Sequence, residues 1–178
     1  MSSVSPVPRT YAEWVALLDR FRDGDDSGLE GMRQGSIEWT NIVAERWTRQ
    51  VADALSVRLQ NLSKRLQRSI DQARGDTFAI SKALLDARRS LAPLWQLAAL
   101  PCLDDRLRTH LTDELSRWAR QSQESLEKGV RDPRRDARLL KVLRDHALTA
   151  APTPKPLSAA DQVSTTDQVS RTRRVILS

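Results

Sequence analysis

Acid–base chemistry near neutral pH needs carboxylates, imidazoles or thiols within hydrogen-bond reach of one reacting group. The closest carboxylates in this 178-residue chain are Asp25 with Asp26, Asp104 with Asp105, and Asp113 with Glu114. Adjacent residues on a helix project about 100° apart, so these pairs diverge rather than converge. Each sits where a turn, a helix start or a polar face calls for charge. His110, Asp113 and Glu114 form an i, i+3, i+4 cluster, the beginning of a metal site. Helical bundles that hold two iron atoms complete such a site with a Glu-x-x-His step on facing helices. No such step occurs here, and neither Glu45 nor Asp53 supplies a matching partner. No metal is expected.

Cys102 is the single cysteine, which excludes an intramolecular disulfide and a multi-cysteine zinc site. As a nucleophile it would need a neighbouring base and a lowered pKa. Its neighbours are Pro101, Leu103, Asp104 and Asp105, and acids push a thiol the other way. It reads as a structural, at least half-buried residue. Neither a Gly-x-x-x-x-Gly-Lys nor a Gly-x-Gly-x-x-Gly loop occurs, and the chain has only six glycines, two histidines and one tyrosine. A glycine-lined cofactor pocket has little material, so no cofactor and no catalysis are expected.

Two sets of residues point to binding instead. Arg58, Arg65 and Arg68 share a polar helix face, with Asn61 and Lys64 beside them. Arg134, Arg135 and Arg138, followed by Lys141 and Arg144, crowd a second helix. Rows of this kind are solvated faces, cations paired with acids on a neighbouring helix, or a surface that tracks phosphates. The second set is the C-terminus, where Arg173 and Arg174 precede Val175, Ile176 and Leu177. Three large aliphatics of high β propensity can add a strand to a partner's sheet edge while the arginines pair with acids beside it.

The net charge is +6, yet it is spread out. Residues 36–74 and 131–146 each carry an excess of three cations, residues 147–178 an excess of two, and residues 1–35 a deficit of two. A dedicated nucleic-acid surface concentrates charge more sharply. Of the 29 basic residues 24 are arginine, which a GC-rich genome explains as readily as phosphate binding does. The first nine residues have no apolar run resembling a secretory signal. The longest uncharged stretch, 90–103, is shorter than a membrane helix and holds Pro93 and Pro101. With one free cysteine, these features predict a cytoplasmic protein that makes no membrane contact.

The elements that position these residues are helical throughout. Residues 1–9 read as a disordered lead. Thr10 with Glu13 reads as a capping box, followed by Trp14, Leu17, Leu18 and Phe21 at helical spacing. Gly24 and the surrounding aspartates break that helix, and Leu29 and Met32 add a further turn. From Ser36 to about Arg74 a single helix is predicted. Its stripe runs Ile37, Thr40, Ala44, Trp47, Val51, Leu55, Leu59, Leu62, Leu66, Ile70, Ala73, in the alternating steps of three and four of a helix lying along another. Trp39 and Val43 lie off the stripe and mark a flank for the first helix. The chain reverses at Gly75 and Asp76. A returning helix uses Phe78, Leu84, Leu85, Leu91, Leu94, Trp95 and Ala98, with Pro93 expected to kink or restart it. Asp104 caps a helix carrying Leu107, Leu111, Leu115, Trp118, Ser122 and Leu126. Asp132–Pro133 opens a short basic one with Leu139, Leu140 and Leu143. Four of the five tryptophans, Trp14, Trp47, Trp95 and Trp118, fall on these stripes and are expected in the core.

The expected fold is therefore an all-α antiparallel bundle spanning 10–146, built on one long central helix at about 36–74. A flexible linker follows at 147–170, containing the repeat Asp-Gln-Val-Ser at 161–164 and 167–170, and a candidate docking peptide ends the chain at 171–178. The function expected is that of a non-catalytic adaptor or scaffold subunit. Its protein partners would be met through the tail or the helical seam, and the stripe serves an internal bundle or a homo-oligomer equally well. The alternative is a basic helical subunit contacting nucleic-acid phosphates through Arg58, Arg65, Arg68, Arg134, Arg135 and Arg138.

Overall fold

The computed structural model describes residues 7–35, 40–130, 134 and 136–148. Among these, six α-helices and no strands occur. The N-terminal lead up to residue 6, Trp39 and residues 149–178 lie outside the described residues; Leu148, read from the sequence as linker, is buried in the core, so the bundle extends past the expected boundary at 146.

Helix α1, Tyr11–Asp23, begins as its sequence dictates. Thr10 Oγ1 accepts from the Glu13 N–H at 3.4 Å, and the Glu13 carboxylate accepts from the Thr10 N–H at 3.0 Å. It ends at Gly24, whose φ of 109° gives the left-handed turn that a side chain would resist. A 3₁₀ turn at Asp26–Gly28 leads into α2, Leu29–Gln34. Gly35 then passes so close to Trp14 that a Cβ there would lie 2.8 Å from the indole ring.

Helix α3, Asn41–Ala73, has 33 residues and is about 50 Å long. It starts five residues later than the reading from Ser36. Gly35 is extended (ψ 143°) against Trp14, and Thr40 is still extended (ψ 154°), so the helical conformation begins only at Asn41. Ser36 and Ile37 lie outside the described residues. Arg74 and Gly75 both take positive φ, 48° and 84°, and reverse the chain where expected.

Helix α4, Thr77–Ala98, is capped by Asp76, which accepts from the Phe78 and Ala79 N–H groups. Pro93 neither ends nor restarts it. A proline costs a helix interior about 3 kcal/mol, whereas each of the buried neighbours Leu91, Leu94 and Leu97 contributes about 1.5–3 kcal/mol, so packing prevails. Two expected core residues are outside: Phe78 is 77% exposed and Leu85 53%. The buried face is centred on Ile80, Leu84, Ala87 and Leu91, and both exposed residues stand about 100–120° around the helix from Leu84. Trp95 is half-buried.

Helix α5, Asp105–Lys128, is capped by the Asp104 carboxylate on the Leu107 N–H at 2.7 Å and buries the expected stripe. Helix α6, Ala137–Asp145, begins later than the Asp132–Pro133 signal, which lies outside the described residues. Its Leu139 and Leu143 are buried, and Leu148 beyond it is 1% exposed.

Short connections make α3, α4 and α5 an up–down–up bundle, so α3 and α5 run parallel. Trp118 meets Ser63, and Gly129 lies against Ile70. Helix α1 lies along the first half of α3, from Tyr11 Oη on Gln50 to Arg58 on the Phe21 carbonyl. The α3 stripe, from Trp47 through Ala73, is thereby buried within the chain apart from the half-buried Ile70. One continuous core holds Trp14, Trp47 and Trp118, the first two edge-to-face at 5.3 Å.

Candidate functional site

The described residues that could contact a ligand fall into three places: the arginine rows, a groove between α3 and α5, and the outer face of α4.

Arg58 does not belong to a solvated row. Its side chain is 11% exposed, its guanidinium pairs with Asp26 at 3.0 Å and donates to the Phe21 carbonyl at 2.6 Å, and it stacks over the Phe21 ring at 4.6 Å. It clasps the end of α1 and the 3₁₀ turn onto α3, which corrects its reading as a phosphate contact. The helical spacing put it on a polar face, but α1 arrives over that face. Arg65 and Arg68 are exposed. Arg134 and Arg138 are exposed as well, whereas Arg135 lies outside the described residues. On α6 the buried Leu139 and Leu143 turn Arg138, Lys141 and Arg144 to solvent, and these three make no ion pair among the described residues. Arg65 and Arg68 belong to α3, while α6 packs on α4 and α5, so the two rows stand on different parts of the bundle. Arg173, Arg174, Val175, Ile176 and Leu177 lie outside the described residues.

The groove was not legible in the sequence, because it follows from the parallel register of α3 and α5. Ser56, Gln60 and Ser63 face Glu114, Arg117 and Trp118 across an open space of about 170 Å³. The Trp118 indole N–H donates to Ser63 Oγ at 2.6 Å and forms its floor. Small-molecule sites typically enclose about 300–1,000 Å³, so this space suits a side chain or water rather than a cofactor.

Cys102 is buried enough that its thiol is pushed up to about 11. Loss of hydration is the cause. A backbone N–H, the Trp47 indole and the Arg108 guanidinium pull in the opposite direction without matching it. Cys102 is half-buried, as the sequence reading expected, and burial rather than Asp104 or Asp105 raises its thiol. Among the described residues no three His, Cys, Asp or Glu side chains stand close enough to hold a metal ion. His110 and Asp113 are exposed. No helix among them is long and apolar enough to cross a membrane.

Comparisons with protein-family models, with curated proteins and with solved structures found no match. The class of molecule is thus set by its own architecture, an all-α bundle around one long helix.

Proposed function

We propose that the protein is a non-catalytic adaptor: a closed helical bundle that anchors a C-terminal peptide, Arg173–Leu177, for capture by another protein. The observation that supports this reading is the anchor itself. Leu148 is buried, its N–H donates to Gln123 Oε1 at 3.3 Å, and Gln123 Nε2 donates to the Leu143 carbonyl at 2.9 Å. The chain beyond is tied to a fixed point, and a tethered peptide gains effective concentration at the millimolar scale with a short linker. The α3 stripe packs inside the chain, so in this reading the partner contact falls to the tail rather than to that seam.

The test is affinity capture from the native host's lysate, with and without nuclease. It compares the full chain, a chain ending at Ala150, and a full chain with Val175, Ile176 and Leu177 changed to Ser. A protein captured only by the unaltered full chain, nuclease or not, supports the adaptor. Equal capture by all three refutes the role of the tail.

A second reading, nucleic-acid binding, is favoured by the exposed cations Arg138, Lys141 and Arg144 of α6, which make no ion pair among the described residues. It requires affinity that falls steeply with salt, with little preference for sequence. Changing Arg134 and Arg138 to Glu would abolish such binding; retention would refute it.

A further inference from the structure

Helix α4 carries two large apolar side chains in solvent, Phe78 at 77% and Leu85 at 53% exposure. They are seven residues apart, two turns and about 10.5 Å along the axis, on one side of a helix whose opposite side is core. The chain leaves the bundle beside this stripe. The His146 carbonyl accepts from Arg88 at 3.2 Å, and Arg88 is one turn from Leu85. From there 26 residues, 149–174, separate Leu148 from Val175. Taken as the coil its composition predicts, a linker of that length has a root-mean-square reach of about 28 Å. Phe78, ten residues back along α4 from Arg88, is about 15 Å from it.

We infer that the Phe78–Leu85 stripe is the resting dock of the chain's own C-terminal peptide, with Val175, Ile176 and Leu177 laid along it in cis. Area selects this occupant. Two side chains offer on the order of 250 Å² of apolar surface, whereas a stable dimer covers about 800 Å² on each partner. A second copy therefore finds too little to hold. Three extended residues span about 10 Å and match the stripe, and the tether makes a weak contact effective. Asp86, exposed beside Leu85, offers a carboxylate to Arg173 or Arg174. Lys82 and Arg89 share this side of α4 and outnumber Asp86, so charge does not favour a basic peptide and the apolar contact has to carry the docking. A partner that captures the peptide then has to displace it from α4, which makes the contact autoinhibitory. The inference rests on the adaptor reading only in taking the same peptide as the ligand.

The test uses the full chain with a nitroxide on Ser178→Cys. Cys102, half-buried and with its thiol held protonated, is expected to stay unlabelled under native conditions, and a Cys102→Ala version checks this. Amide signals are recorded on ¹⁵N-labelled protein with the nitroxide oxidised and reduced. The expected result, beyond the broadening of the tail residues next to the label that any state gives, is strong broadening centred on residues 78–89. It should vanish when Val175, Ile176 and Leu177 are changed to Ser, and when Phe78 and Leu85 are, the latter two being exposed enough for the fold to survive. Absence of broadening on α4 overturns the inference. So does broadening seen on ¹⁵N chains lacking the label when they are mixed with labelled ¹⁴N chains, because that places the peptide on a second copy. Partner capture that needs residues 175–177, combined with no broadening, leaves the adaptor standing and removes this inference alone.

Discussion

Replacing Arg58 by Ala should destabilise the protein by about 2–3 kcal/mol. Three interactions end together. The charge-assisted hydrogen bond to the Phe21 carbonyl, 2.6 Å long, is worth about 1.5–3 kcal/mol. The guanidinium over the Phe21 ring adds about 0.5–1 kcal/mol. The pair with Asp26, whose own side chain is 42% exposed, adds no more than about 1 kcal/mol. These terms share one side chain and do not add fully, which places the sum below its nominal total. Urea unfolding of the full chain, with circular dichroism as the readout, measures the change in midpoint at constant m-value. At this chain length the same loss lowers Tm by about 5–10 °C. Arg58→Lys should recover only part of it, because Nη1 makes both polar contacts from a planar guanidinium that also stacks on Phe21, and an ammonium on a shorter side chain has no such plane. A double-mutant cycle with Asp26→Asn should return a coupling of at most about 1 kcal/mol. If Arg58→Ala unfolds within about 0.5 kcal/mol of the parent, the clasp is wrong and Arg58 returns to the set of free cations.

Arg74→Gly should stabilise the fold by about 0.5–1 kcal/mol, since a non-glycine residue at φ 48° pays a steric penalty that glycine avoids; thermal unfolding measures it, and a lower Tm refutes it. Cys102 should react with a disulfide reagent at neutral pH far more slowly in the folded chain than in urea, given a thiol pushed up to about 11 by burial; equal rates would show the loop around it open. Glu13 is held below its ordinary 4.5 by the Arg9 and Thr10 backbone N–H groups, so its folded value lies under its unfolded one. The stability it supplies is present above about pH 4.5 and is lost as the pH falls through the lower folded value. Glu13→Gln should therefore flatten the acid limb of a stability-versus-pH profile, and an unchanged limb refutes the assignment. Changing Phe78 and Leu85 together to Ser should leave the urea midpoint within about 0.5 kcal/mol of the parent, as both side chains stand mostly in solvent.

How the elements form was written locally. The Thr10–Glu13 box, the Asp76 and Asp104 caps and the Gly24 and Gly75 turns rest on contacts within a few residues, so a reader of the chain finds them without a fold. The stripes of α3 and α5 were legible for the same reason, because a helical period of 3.6 residues groups Leu55, Leu59, Leu62 and Leu66 whatever packs on them. The N-terminus of α3 was less so: Ser36 is an acceptable cap, and only the seating of Gly35 against Trp14 and the extended Thr40 moves the start to Asn41. The proline in α4 also misled, since local propensity opposes a helix that long-range burial holds together.

The sequence by itself determined that this chain is helical, that α3 is its longest helix, and that charge and chemistry-bearing residues are dispersed rather than gathered. Tertiary structure decided which side chains remain available. The sequence left Arg58 open between a solvated, a paired and a phosphate-binding cation, and it is clasped; Phe78 and Leu85 looked buried and are not; the groove floored by Trp118 exists only through the parallel register of α3 and α5. The reason is that hydrogen bonding and periodicity are properties of a segment, whereas exposure is a property of what lands on it. Each helix face is offered by its own residues and is closed or left open by a neighbour distant in the chain.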